Sequence, residues 1–285
     1  MKILFAVDNQ PYSASSVSEV AKIAANTWAD VTLLTVQPGK SEPEREKVAT
    51  LREYKKTFLK HISEDGFPYA MPSGTEEFTQ TEDGWLGKQS NRNGSKSLTI
   101  KIRRGNALKE ITQEALSQES DLIIIAGSPD DCQWQGEILN LPQRVAEGAS
   151  CSVLVIKETR FAKTLIGCLD QSQISQESLE MINQLVTYHQ ADLKIIGLTG
   201  PKGLSGKGDV EGKMGDILSY YNARNIKAWI TLVENTNLEE YISKASKEGI
   251  IAVWMGKKSI FRKLFSENLV EKLISSSQSS VLILR

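Results

Sequence analysis

Along the chain, short unbroken apolar runs alternate with stretches whose apolar residues recur every three or four positions. ILFAV (3–7) and VTLLTV (31–36) are runs of the first kind, and Val17, Val20, Ala21, Ala24 and Trp28 between them are spaced as one face of a helix. Ser16 and Glu19 have capping-box spacing and predict the start of that helix. The alternation continues with LTIKI (98–102), a helix over 107–118, DLIIIAG (121–127), a helix over 136–147 interrupted or begun near Pro142, and SVLVI (152–156). Further on come ILSYYNARN as the end of a helix, KAWITLV (227–233), a helix over 238–247, IIAVWMG (250–256), a helix over 262–274 and SVLIL (280–284). Because the strand runs are continuous rather than alternating, both faces of each strand are covered, which predicts a parallel sheet between layers of helices.

The chain also repeats itself. KILFAVD (2–8) and KTLIGCLD (163–170) each join a basic residue, an apolar run and an aspartate. Aligning Asp8 with Asp170 sets an offset of 162, which also carries Val17 to Leu179, Val20 to Ile182, Ala24 to Val186 and Asp30 to Asp192. Later the offset slips to 130 for ALKEI and NLEEY, 129 for Gly127 and Gly256, and 128 for SVLVI and SVLIL. Residues 1–157 and 161–285 are therefore two copies of one doubly wound α/β unit, joined by the polar KETR.

The copies differ most between their second and third strands. In the first, SEPEREKVATLREYKKTFLKHI predicts a long charged helix. About 62–96 is an insertion rich in Gly, Pro, Ser and Asp, read as an irregular loop with an exposed Trp85. The second copy has GPKGLSGKGDVEGKMG, read as a Gly/Lys-rich loop. Its GLSGKGD lacks the residue order of a phosphate loop.

Composition narrows the function. With 40% hydrophobic and 24% charged residues and a net charge of −1, the protein is globular with no electrostatic case for nucleic acid. Arg103-Arg104 and Lys257, Lys258, Arg262, Lys263 are local basic clusters whose simplest reading is solvated surface. Two histidines and three cysteines, none in a CxxC pair, write no zinc pattern and fit a reducing cytosol. Cys151 and Cys168 read as buried small hydrophobes, Cys132 as an exposed thiol open to redox sensing. No apolar run reaches the ~20 residues of a membrane span. The expectation is a cytoplasmic protein that is not membrane-embedded. No nucleophile–base set or metal cluster suggests itself, so an enzyme is not expected.

FAVD and GCLD, IIIAGS and VWMGKK, CSVLVIK and SSVLILR, in that order and twice, resemble the universal stress protein family in its tandem form. The resemblance spans the chain apart from the insertion. It implies two five-stranded parallel sheets flanked by helices, the adenine nucleotide alpha hydrolase-like fold. For nucleotide-binding members it implies ATP or another adenine nucleotide with Mg²⁺, held by Gly-x2-Gly-x9-Gly-Ser/Thr after strand four. Glycines there let backbone N–H groups approach phosphate oxygens at a helix N-terminus.

Carried onto this chain, the ligand-binding candidates are Asp8, Val36 (near the adenine), Gly127 and Ser128 in the first copy. In the second they are Asp170, Gly256, Lys257, Lys258, Ser259 and Ser266. Neither copy keeps the loop. Glycine is due at 130 and 140, where Asp130 and Asn140 stand, with Asp131 beside them. A carboxylate about 4 Å from a phosphate charge costs on the order of 4 kcal/mol at an effective dielectric near 20. In the second copy Ser259 replaces a glycine and Ser266 comes three residues early, yet the cations favour an anion. Asp8 has two readings, as cap of the following helix or as ligand contact.

The function implied is a stress-response or regulatory binding module that does not take ATP through the standard loop. The alternative is a nucleotide sensor with its site in the second copy, and a third reading is a regulatory partner of a membrane transporter. Family members associate through their last strands, here Val153–Ile156 and Val281–Leu284, which would serve self-association or a protein partner.

Overall fold

A computed structural model describes residues 1–39, 42–62, 68–69, 77–88, 95–128, 140–157, 162–169, 175–199, 207–256 and 269–285. The chain divides into two compact units, Met1–Glu158 and Thr159–Arg285.

In the first unit the strands are β1 (Lys2–Ala6), β2 (Asp30–Gln37), β3 (Glu77–Thr81), β4 (Gly84–Lys88), β5 (Leu98–Arg104), β6 (Leu122–Gly127) and β7 (Ser152–Lys157). Their order in the sheet is β7-β6-β1-β2-β5-β4-β3. The five strands β7, β6, β1, β2 and β5 are mutually parallel. The chain steps outward from β1 first through β2 and then through β6, so the topological switch point lies between β1 and β6, where doubly wound sheets bind ligands. The helices are α1 (Pro11–Thr27), α2 (Arg45–Ile62), α3 (Ala107–Ser117) and α4 (Leu141–Gly148). Leu4, Phe5, Ala6, Ile123, Ile124 and Ile125 are all shut off from solvent, as strands covered on both faces must be.

The second unit holds β8 (Thr164–Cys168), β9 (Asp192–Thr199), β10 (Ala228–Glu234), β11 (Ile250–Trp254) and β12 (Val281–Leu284). Their order is β10-β9-β8-β11-β12, all parallel, repeating the first unit's topology. Its helices are α5 (Gln176–His189), α6 (Lys207–Asn222), α7 (Leu238–Ala245) and α8 (Leu269–Ser276). The doubly wound fold expected from the apolar pattern is thus present twice. Among the described residues no helix is long and apolar enough to cross a membrane.

Four local expectations need correction. Helix α1 begins at Pro11, not after Ser16; Ser16 is buried within it and donates to the Tyr12 carbonyl at 2.7 Å. Pro needs no partner for an N–H in the first turn, and it decided the start. The second unit's Gly/Lys-rich stretch is helical from Lys207 onward, with Met214, Ile217 and Tyr221 buried. That apolar spacing outweighs the cost of Gly208, Gly212 and Gly215 in a helix. Part of the insertion is regular: β3 and β4 form a hairpin across Glu82-Asp83, and β4 adds to β5 antiparallel. Gly84, at the fourth position of that turn, carried the hairpin signal. Trp85 is consequently buried opposite Ile102, only 4% exposed.

Candidate functional site

In β1 and β6, Ala6 pairs with Ile125, so Asp8 and Gly127 lie two residues past matched positions at the carboxyl edge of the switch point. There the Asp8 carboxylate is engaged by the start of its own helix. Oδ1 accepts from the Gln10 N–H at 3.2 Å and from the Ser13 hydroxyl at 2.6 Å. Oδ2 accepts from the Tyr12 hydroxyl. Tyr54, from α2, donates its hydroxyl to the Asp8 carbonyl at 2.9 Å. Burial and the nearby charges of Asp8 and Glu53 push that phenol up to about 12, which keeps it a donor at physiological pH. Asp8 thus builds an Asx-type turn that launches α1.

Val36 is buried near the end of β2, and its carbonyl accepts from Lys47 Nζ at 2.7 Å. Next to it, the Gln37 side chain donates to the Glu42 carbonyl at 2.9 Å and accepts from the Glu44 N–H at 3.0 Å. The first turn of α2 is therefore fastened over the end of β2. Sequence reasoning missed Lys47, Tyr54 and Gln37. No motif marks them, and the only available signal was the position of a charged helix directly after the second strand.

Gly127 closes β6 in register with Lys157, and Ser128 follows, half-buried. Asn140 occupies the place of the family's last loop glycine with φ 62° and ψ 38°. Asparagine is among the few non-glycine residues that accept this left-handed geometry, so Asn140 holds a conformation that glycine takes most readily. The following Ser/Thr place is Leu141, which is buried and offers no hydroxyl. Asp130, Asp131 and Cys132 lie outside the described residues.

In the second unit, Asp170, Lys257, Lys258, Ser259 and Ser266 lie outside the described residues. Gly256 is described, and a Cβ there would come within 2.6 Å of the Trp254 ring. That packing alone requires glycine. Cys168 is buried, and desolvation pushes its thiol up to about 12, while Cys151 is only half-buried against the expectation of burial. Among the described residues no group of three or more His, Cys, Asp or Glu could hold a metal ion.

The Arg103-Arg104 pair is not solvated surface. Arg103 is 2% exposed and donates to Glu110 at 2.7 Å and Glu114 at 2.5 Å. Lys101 also meets Glu114, at 2.8 Å, and Asp83 from the hairpin turn approaches Arg103 at 3.5 Å. Arg104 lies 5.3 Å from the Trp85 ring centre.

A sequence model of the universal stress protein family matches residues 1–157, more than half the chain. The chain belongs to the universal stress protein family. No curated protein matches it. The crystal structure of a universal stress protein from Archaeoglobus fulgidus is similar over 100% of this chain and 96% of that one, at 11% identity and a TM-score of 0.54. A putative universal stress protein from Pseudomonas aeruginosa UCBPP-PA14 is similar over 99% of this chain and 92% of that one, at 14% identity and 0.57. A functionally unknown protein from Pseudomonas aeruginosa PAO1 gives the same coverage and TM-score at 13% identity. At such identities the likeness is one of fold, and it gives this universal stress protein its doubly wound, two-unit architecture.

Proposed function

We propose that this universal stress protein is a non-catalytic regulatory module of a stress response, acting through a protein partner, and that its first unit does not hold an adenine nucleotide. The observation that carries this reading is the Asp8 carboxylate, taken up by Tyr12, Ser13 and Gln10 of its own chain. The Lys47 ammonium on the Val36 carbonyl and the buried Leu141 in the hydroxyl place support it further. A nucleotide would have to compete with these internal partners for the same groups.

Thermal unfolding with ATP, ADP and AMP, each with Mg²⁺, tests it. A ligand at 100 times its dissociation constant adds about 2.7 kcal/mol of stability. The reading expects no such gain assignable to the first unit. A gain that disappears in Asp8→Ala overturns it.

A second reading, a nucleotide sensor in the second unit, is favoured by the sequence charge of Lys257, Lys258, Arg262 and Lys263. It expects a gain that survives Asp8→Ala and vanishes in the double change Lys257→Ala, Lys258→Ala. No gain with any nucleotide at millimolar concentration sinks it.

A further inference from the structure

The two units treat the same sheet edge differently. Strand β5 of the first unit and β10 of the second occupy the same place, next to β2 and β9 respectively. Beyond β5 stands the hairpin strand β4. Among the described residues, no strand pairs with the other side of β10. The effect is visible at matched positions. Ile102 lies under Trp85 and is 0% exposed, whereas its counterpart Leu232 is 53% exposed. Ile100 is fully buried and its counterpart Ile230 only partly.

The backbone of β10 is oriented to accept another strand. The Lys227 carbonyl accepts from the Leu193 N–H, so Lys227 and the odd-numbered residues after it face β9. The N–H and C=O groups of Ala228, Ile230, Leu232 and Glu234 then point to the open edge. In the first unit the equivalent set includes Arg104, whose N–H is donated outward to the Asp83 carbonyl at 3.0 Å. Sheet edges left open are ordinarily blunted by Lys, Pro, a bulge or a covering loop. β10 carries no Lys, Pro or bulge, its one charge, Glu234, stands at its last position, and Ala-Trp-Ile-Thr-Leu-Val has high strand propensity.

We infer that β10 is a self-association edge, pairing antiparallel with β10 of a second copy. A two-fold axis through the sheet keeps each side chain on its own face, so paired residues must both be even-numbered or both odd. Centring the axis on Thr231 places Ile230 opposite Leu232, twice, and Trp229 opposite Val233, twice. Four aliphatic side chains then cover the face that Trp85 covers in the first unit. Centring it on Ile230 would set Leu232 against only Ala228. The Thr231 register brings no two like charges into opposition within the strand. It also makes Ile230 and Leu232 a hydrogen-bonded pair, using the outward N–H and C=O groups. Such an interface is isologous and closes as a dimer.

The test uses the full chain in sedimentation between about 1 and 100 µM, the range of modest self-affinities. The expected result is a dimer whose dissociation constant rises about tenfold or more in Leu232→Lys, the cost of burying a charge at a contact. A second measurement does not depend on that variant. In a Cys132→Ser background, Thr231→Cys should cross-link to a covalent dimer on mild oxidation. Residues opposite each other in a non-hydrogen-bonded pair sit about 4.5 Å apart, within disulfide reach. Glu234→Cys, opposite Ala228, should not. A monomer throughout the range, a dimer indifferent to Leu232→Lys, or cross-linking through Glu234→Cys instead of Thr231→Cys overturns the inference. The monomer result would leave the edge to a strand of another protein.

Discussion

Arg103 Nη1 donates to Glu114 Oε2 at 2.5 Å, and the side chains are 3% and 0% exposed. Burial disfavours the guanidinium charge, yet the hydrogen bonds and charges of Glu114 and Glu110 outweigh that and hold its pKa above the ordinary value. The pair ties α3 to β5, and Asp83 extends it to the hairpin turn. Buried pairs are costly to break from one side, because the other charge is left without compensation. Glu114→Ala is therefore expected to destabilise the first unit by about 3–5 kcal/mol in urea unfolding. Arg103→Met with Glu110→Leu and Glu114→Leu, which leaves neither buried carboxylate without its guanidinium, should recover most of that loss. A triple variant as unstable as the single one would contradict this account.

The hairpin depends on Gly84. Its φ is +155°, and a Cβ there would fall 1.9 Å from the Ile102 carbonyl oxygen. Gly84→Ala must push β4 off β5. Amide hydrogen exchange should then quicken at Arg104, whose N–H is donated to Asp83, while amides of β1 and β6 keep their protection. Unchanged exchange at Arg104 would show that the edge tolerates the methyl.

A carboxylate in the second unit has a pH signature. Burial raises the pKa of Glu180, but hydrogen bonds from Tyr220 (2.8 Å), Asn183 (3.1 Å) and Gln184 (2.6 Å) outweigh it and hold the pKa below the ordinary value. A depressed folded-state value means that stability is fully present above the ordinary glutamate pKa of about 4.3 and is lost as the pH falls through the folded one. In Tyr220→Phe, NMR titration should show the Glu180 pKa rising towards ordinary, with a loss of no more than about 1 kcal/mol at neutral pH for so exposed a pair. An unmoved titration would remove Tyr220 from the account.

Thiol reactivity should follow burial. Cys168 lies wholly inside β8 with its pKa pushed up to about 12, so little thiolate forms at pH 8. A Cys132→Ser, Cys151→Ser variant should react with a thiol reagent only at the rate of unfolding, and fast in denaturant. Prompt native-state labelling would contradict the packing of β8.

Much of the fold was legible because continuous apolar runs and helical spacing are local signals. KILFAVD and KTLIGCLD fall on β1 and β8 with the register the sequence offset demands. The hairpin was obscured because Phe78 and Trp85 sit among Gly, Ser and Asp, and composition outweighed the turn signal of Gly84. The candidate site was only half legible. Asp8 and Gly127 could be placed by motif, and the structure sets them side by side. Lys47 and Tyr54 could not, because they reach Val36 and Asp8 from another element, 11 and 46 residues away. Arg103 was misread for the same reason: its partners Glu110 and Glu114 meet it only once α3 packs back on the sheet.

The Lys47–Val36 bond also makes the end of β2 a place of exchange. With Lys47 on that carbonyl and Gln37 holding Glu42 and Glu44, a molecule bonding to the same groups would have to compete with partners the chain supplies itself.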